Sequence, residues 1–157
     1  KNNKFNRLSP KIHNPYSFLL RTVGYNNTLI VVSAMGKTTN AMETVISNYF
    51  DTKHQLQSSL QDVKKYHNNI LLDLFDNEQH LVFETVDKLF QEIVQFFDHN
   101  KSPNYNFVYD QVIGFGELIS TTIISHYLNQ IGIVLHRKIS CWGNIYISNY
   151  CESMIAL

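Results

Sequence analysis

The sequence has few of the features that place a protein on nucleic acid, in a membrane or among disulfide-stabilised secreted proteins. It carries 13 basic and 13 acidic side chains, a formal net charge of +0, and no basic block that would attract phosphates or an anionic membrane. No apolar run approaches the roughly 20 residues that span a bilayer, and no apolar signal segment follows the polar start. Cys141 and Cys151 lack CxxC spacing, so a reduced pair is expected, with a disulfide as the alternative. We therefore expect a cytoplasmic protein with no nucleic-acid or membrane partner.

Several catalytic and metal-binding signatures are also missing. The Walker A pattern, the GxGxxG dinucleotide fingerprint and the GxSxG hydrolase elbow do not occur. The histidines have no HxxxH spacing and no zinc-like grouping with cysteine or carboxylate, so no metal site is predicted. Surface or boundary positions are expected for all seven: His13, His54, His67, His80, His99, His126 and His136.

The residues that are present predict one globular α/β domain. Apolar residues make up 44% of the 157-residue chain, which is long enough to bury a substantial core. Residues 28–33 are a continuous apolar, β-branched run, typical of a strand buried on both faces in a parallel sheet. Gly36 and Lys37 predict a turn, and residues 38–40 supply caps for a helix over residues 41–50. Strand, loop and helix make half of a βαβ unit.

Helical periodicity dominates the middle of the chain. Residues 56–75 are predicted to be helical with a break at Asn68 and Asn69, and residues 81–97 show the clearest amphipathic pattern. Residues 98–106 are predicted to form a loop. The apolar stripe of residues 81–97 is interpreted as a core face, with a partner-binding face as the alternative; it consists of Val82, Val86, Leu89, Phe90, Ile93, Val94 and Phe97.

The last third of the chain is less regular. Residues 116–129 are predicted to form a helix that ends near Gly132. Residues 133–135 and 144–148 are predicted to form short strands.

Two segments carry candidate chemistry. In residues 31–40 (VVSAMGKTTN), a buried strand delivers the Ser33 hydroxyl at its carboxyl end, where α/β proteins bind anionic ligands; a plain strand-to-helix turn is the alternative. In residues 113–121 (IGFGELIST), the glycines permit a tight turn or close approach to a ligand. Glu117 then falls in the first turn of a helix, where the macrodipole favours an anion. Taken alone, this glutamate would be an ordinary helix-start residue.

Together, VSAMGKTTNAME and GFGELISTTIISHYLNQIG resemble the aspartokinases, members of the amino-acid kinase family. The resemblance covers residues 27–132 and implies a three-layer α/β/α, carbamate kinase-like fold with a mostly parallel sheet and several long helices. It implies that Ser33, Thr39 and Glu117 bind L-aspartate, with Arg137 standing in for a further substrate-binding arginine. The implied reaction transfers a phosphoryl group from ATP, bound with Mg²⁺, to the side-chain carboxylate of L-aspartate.

The start of the chain resembles the family's KFGGTS segment more loosely, through Lys4, Phe5 and Ser9. The resemblance implies that Lys4 is the catalytic lysine, neutralising charge on the transferring phosphoryl group, and that Lys4 and Ser9 bind the nucleotide. Asn6 and Arg7 replace two glycines whose lack of side chains lets phosphate approach the backbone.

On this resemblance, residues 1–157 are expected to be the amino-terminal, amino-acid-binding part of a catalytic domain, without the nucleotide-binding half and the regulatory ACT domains. An incomplete sheet would have an open edge, so we expect a homo-oligomer or a partner that completes the sheet. The alternative is a truncated, non-catalytic module of the same fold that binds an amino acid or another subunit.

Overall fold

The computed structural model describes residues 29–131, 136–139 and 153–156, with the backbone alone at 29–31, 136–139 and 153–156. In chain order these residues form β1 (Leu29–Val32), α1 (Thr38–Asp51), α2 (Lys53–Leu74), α3 (Leu81–His99), α4 (Tyr105–Val112), α5 (Phe115–Gln130), β2 (His136–Ile139) and β3 (Ser153–Ala156). None of the helices within these residues is both long and apolar enough to cross a membrane.

The predicted three-layer α/β/α fold with a mostly parallel sheet is wrong. The described residues are mostly helical, and their three strands, each four residues long, form an antiparallel sheet. β3 lies between the other two, with its Ile155 opposite Ile30 of β1 and opposite Arg137 of β2. An apolar, β-branched run predicts a strand but not the direction of its neighbours, because either direction can bury both faces.

The turn before α1 is confirmed, but the predicted caps are not. Gly36 has a φ of 57°, in the left-handed region that favours glycine. Lys37 takes the cap position without a side-chain hydrogen bond, and Thr38 is the first helical residue.

The helix α2 is continuous from Lys53 to Leu74, so the predicted break at Asn68 and Asn69 is wrong. Asparagine is less favourable in a helix than alanine by at most about 0.7 kcal/mol. Tertiary packing outweighs this, because most helical stability in proteins comes from burying one face. The buried residues of α2 are Leu60, Val63, His67, Leu71 and Leu74.

The amphipathic pattern of α3 is confirmed as a core face, with one exception. Val94 is 44% exposed, because at 100° per residue it lies roughly 90° from the centre of the stripe. The remaining members are buried: Val82, Val86, Leu89, Phe90, Ile93 and Phe97.

The short helix α4 was missed, and of the predicted loop of residues 98–106 only residues 100–104 lie outside helices. The side-chain oxygen of Asn104 accepts a hydrogen bond from the backbone N–H of Phe107 at 3.2 Å and caps the helix. Eight residues give too few turns for a clear periodicity. The predictions for residues 132–135 and 144–148 lie outside the described residues.

The helix α5, predicted over residues 116–129, is confirmed and lies deep in the core. Nine of its 16 residues are buried, so more than one of its faces is covered. The buried hydroxyls along it return to the helix backbone, as in the 2.6 Å bond from Thr121 to the carbonyl of Glu117. Buried hydroxyls bonded in this way carry no desolvation penalty. The core position of α5 fixes where its first turn, with Glu117, meets the rest of the protein.

Candidate functional site

The two candidate segments meet where β1 ends and α5 begins. The hydroxyl of Ser120 lies 2.8 Å from the carbonyl oxygen of Ser33 and donates to it, with the carbonyl of Glu117 a second acceptor at 3.0 Å. The backbone N–H of Ala34 acts on the carboxyl of Glu117 and lowers its pKa. Residues 33–39, which are the loop after β1 and the first two residues of α1 (hereafter the 33–39 loop), are therefore attached to the first turn of α5 by the Ser120–Ser33 hydrogen bond.

Gly116 makes this attachment possible. A Cβ atom at this position would lie 3.0 Å from the Cβ of Ala34 and 3.3 Å from Cγ2 of Thr38, closer than side chains ordinarily pack. We expected the glycine pair to allow a tight turn or approach to a ligand, but Gly116 instead allows the loop to pack on α5. Gly114 has ordinary helical angles, with φ of −65° and ψ of −15°.

Glu117 is half-buried, and its position in the first turn of α5 is as predicted. Burial raises the pKa of its carboxyl, and the backbone N–H groups of Glu117 and Ala34 oppose that rise in part. A partly desolvated carboxylate interacts strongly with a cation that reaches it. Glu117 is therefore suited to bind a small cationic group such as an ammonium.

Thr38 is held from several directions. Its hydroxyl donates to the carbonyl of Met35 at 2.6 Å and lies 3.3 Å from Nε2 of His67. Its methyl group faces Gly116. One buried threonine thus contacts Met35, α2 and α5.

The expectation of a surface or boundary position is wrong for His67, whose side chain is 0% exposed. Sequence reasoning missed both His67 and Thr38. The burial of His67 was predictable from the sequence of α2, because His67 continues the helical spacing of the buried residues Leu60, Val63 and Leu71. Of the other histidines, His54 and His99 are exposed, His80 and His126 are half-buried, His13 lies outside the described residues, and His136 is described only in its backbone.

Gly36 gives the loop its shape. Its φ of 57° is unfavourable for residues with a side chain. A Cβ atom at position 36 would also collide with the hydroxyl of Tyr66 from α2. The 33–39 loop is therefore constrained both by its own backbone and by α2.

The structure brings together some of the predicted site residues. Ser33 and Glu117 meet where the 33–39 loop packs on residues 116–120 of α5 (hereafter the junction). The side chain of Ser33 is exposed. Thr39 is half-buried in the first turn of α1, directly after Thr38. Lys4 and Ser9 lie outside the described residues. Arg137 is described only as backbone, in β2.

A cavity of about 300 Å³ lies between α1 and α2, beside the junction. It shares Thr38 with the junction, but Ser33, Thr39 and Glu117 do not line it. Its lining consists of Lys37, Thr38, Ala41, Thr44, Ser59, Asp62, Val63 and Tyr66.

Within the described part of the chain, no group of three or more histidine, cysteine, aspartate or glutamate side chains is placed to hold a metal ion. No protein-family model, curated protein or solved structure matches the chain.

Proposed function

We propose that the protein binds L-aspartate where the 33–39 loop meets α5, and that it acts as an aspartokinase, transferring a phosphoryl group from Mg-ATP to the side-chain carboxylate. The observation that carries the proposal is the contact between the two segments, through the Ser120–Ser33 hydrogen bond and the close packing of Gly116 on Ala34. The resemblance assigns both segments to one amino-acid site. Two segments that matched by chance would have no reason to be adjacent.

The charges at the junction are complementary to an amino acid. The half-buried carboxylate of Glu117 would bind the α-ammonium group. The start of α1 would bind a carboxylate. Its first turn contains no acidic residue. Among the described residues, the N–H groups of Thr39 and Asn40 have no hydrogen-bond acceptor. Free N–H groups and the helix dipole favour an anion there. The hydroxyls of Ser33 and Thr39 would add further donors.

Phosphoryl transfer of this kind depends on positioning and charge stabilisation rather than on a covalent enzyme intermediate. In our proposal Lys4 stabilises charge on the transferring phosphoryl group, and Ser9 contacts the nucleotide phosphates. Arg137 contributes a further positive charge at the substrate. Mg²⁺ arrives with ATP, the reaction takes place in the cytoplasm, and the protein acts as a homo-oligomer or with a partner.

A second candidate is a module that binds the amino acid without transferring phosphate. It is favoured by Asn6 and Arg7, which stand where the family has two glycines. Side chains at these positions would obstruct the approach of phosphate to the backbone.

Calorimetric titration of L-aspartate into the purified chain tests the binding site. We expect one site per chain, and binding weakened roughly 10- to 100-fold in Glu117→Gln, because a hydrogen bond to a charged group contributes about 1.5–3 kcal/mol. The matched control is Glu84→Gln, since Glu84 also lies in the first turn of a helix but is exposed. Absence of binding by the wild type, or equal affinity in Glu117→Gln, would contradict the proposal.

Trapping aspartyl phosphate with hydroxylamine separates the two candidates. An aspartokinase forms the hydroxamate only with both L-aspartate and Mg-ATP present. Lys4→Met is expected to abolish the hydroxamate while aspartate still binds. Binding of aspartate without hydroxamate in the wild type would support the non-catalytic module.

A further inference from the structure

Thr38 and His67 form a buried polar pair that joins the 33–39 loop to α2. Their side chains are 2% and 0% exposed. The imidazole packs against the rings of Tyr66 and Phe90, with centroid distances of 5.2 and 5.9 Å. Burying polar groups costs free energy unless they are hydrogen-bonded, and an apolar residue would fill this face of α2 without that cost. The pair therefore points to a role beyond packing.

The hydrogen positions of the pair follow from its neighbours. Nδ1 of His67 lies 2.8 Å from the carbonyl oxygen of Val63. Because a carbonyl only accepts, Nδ1 carries the hydrogen. Burial lowers the pKa of His67, and the bond to Val63 opposes this in part, so the ring is neutral at neutral pH. Its Nε2 is then an acceptor that faces the hydroxyl of Thr38.

The hydroxyl of Thr38 links the loop to α2. Its single hydrogen faces two acceptors, the carbonyl of Met35 at 2.6 Å and Nε2 of His67 at 3.3 Å. The first acceptor belongs to the turn that contains Gly36, and the second belongs to the core. Because the methyl group of Thr38 also faces Gly116, a shift of Thr38 would reach both halves of the junction.

We infer that Thr38 and His67 are positioning residues, which hold the 33–39 loop and the start of α5 in the arrangement that binds the ligand. Neither residue contacts that ligand. The identity of the ligand as L-aspartate rests on the proposed function, but the positioning role does not. The hydroxyl of Thr38 is essential to this role, because it sets the position of the side chain and so of the methyl group that faces Gly116.

Two pairs of variants test the inference. Thr38→Val removes the hydroxyl at constant shape, and His67→Leu removes the acceptor; each is expected to weaken aspartate binding about tenfold. Thr38→Ser keeps the hydroxyl, so its affinity for aspartate is expected to stay within about twofold of that of the wild type. His67→Gln keeps a polar group and is expected to bind aspartate more tightly than His67→Leu. Ser125→Ala is the matched control, since it removes a buried hydroxyl of α5 whose partner among the described residues is the carbonyl of Thr122 in the same helix.

Nitrogen NMR of the His67 ring gives a direct signature. We expect a neutral ring protonated at Nδ1, and an Nε2 resonance that moves in Thr38→Val but not in Ser125→Ala. A ring protonated at Nε2, or equal aspartate affinity in Thr38→Val and the wild type, would overturn the inference. Equal losses in Thr38→Ser and Thr38→Val would also overturn it, because volume rather than the hydroxyl would then matter.

Amide hydrogen exchange keeps the test independent of aspartate. The N–H of Thr38 donates to Met35 at 3.1 Å, and the N–H of Ala41 donates to Lys37 at 3.0 Å. Both amides are expected to exchange faster in Thr38→Val than in Thr38→Ser. If the wild type binds no aspartate, the proposed function fails, and equal exchange rates in the two variants would separately refute the positioning role.

Discussion

Gly36 occupies a point of the 33–39 loop where backbone and surroundings both disfavour a side chain. Its φ of 57° disfavours other residues, and the hydroxyl of Tyr66 fills the space that a Cβ would take. Tyr66 is 41% exposed, so its ring can move aside at low cost. The backbone conformation therefore sets most of the penalty for a substitution.

We predict that Gly36→Ala destabilises the protein by about 1–2 kcal/mol, the cost of the left-handed conformation for a residue with a Cβ. Urea unfolding measures the loss. Gly114→Ala is the matched control, since its φ of −65° suits alanine and no loss is expected. Similar stabilities of the two variants would show that the conformation of Gly36 does not constrain the loop.

Glu117 predicts a pH dependence of aspartate binding. Burial raises the pKa of its carboxyl above the ordinary value of 4.5, and only the ionised form attracts an ammonium group. Affinity should therefore fall as pH drops through this raised pKa, starting at a higher pH than an exposed glutamate would cause. Calorimetry in steps from neutral pH down to the ordinary value of 4.5 measures the fall in affinity.

The same series in Glu117→Gln serves as the control for this pH dependence. The variant is expected to bind weakly, with little change over the range. A wild-type affinity that stays constant down to pH 4.5 would mean that Glu117 does not bind the ammonium.

At the scale of elements, α2 connects the core to the candidate site. Tyr66 and His67 of α2 contact the 33–39 loop. Lys64 of the same helix is hydrogen-bonded to Asp87 of α3. Both side chains of this pair are partly exposed, at 28% and 40%, so water screens their attraction.

The Lys64–Asp87 pair is predicted to contribute about 0.5 kcal/mol to the free energy of unfolding. The hydrogen bond from Lys64 is the main cause that lowers the pKa of Asp87 below 3.8. A lowered folded-state pKa means that the contribution is present above about pH 4 and is lost as pH falls through the folded-state value. Chemical unfolding of Asp87→Asn at neutral pH, at low and high salt, measures it.

The control for this prediction is the more exposed pair of Glu84 and Lys88, within α3. Glu84→Gln is expected to cost less than Asp87→Asn, about 0.3 kcal/mol. A loss above about 2 kcal/mol in Asp87→Asn would indicate that the pair behaves as a buried ion pair.

Elements with strong periodicity were predictable, and those set by tertiary packing were not. The stripe of α3 is long enough to identify its core face, whereas the eight residues of α4 are too few. The expected break in α2 followed from the local preference of Asn68 and Asn69, which burial of the opposite face outweighs. The glycine at 116 suggested close approach, but only the structure shows that its neighbour is Ala34.

At the scale of the whole molecule, the direction of the sheet was beyond local sequence reasoning. The strand β1 pairs with β3, whose residues 153–156 come more than 100 positions later, and no local pattern encodes that pairing. The proximity of the 33–39 loop and Glu117 was an implication of the resemblance rather than of spacing. The burial of His67 could have been found from its place in the periodicity of α2.

Amide chemical shifts recorded during an L-aspartate titration of the isotope-labelled chain locate the binding site residue by residue. We expect the largest shifts at residues 33–40 and 116–120 together, saturating with one transition and absent with D-aspartate. Binding of aspartate at the junction would be contradicted if no amide moved at millimolar L-aspartate. It would also be contradicted if the shifts were confined to the cavity between α1 and α2, at Ser59 and Asp62, with none in α5.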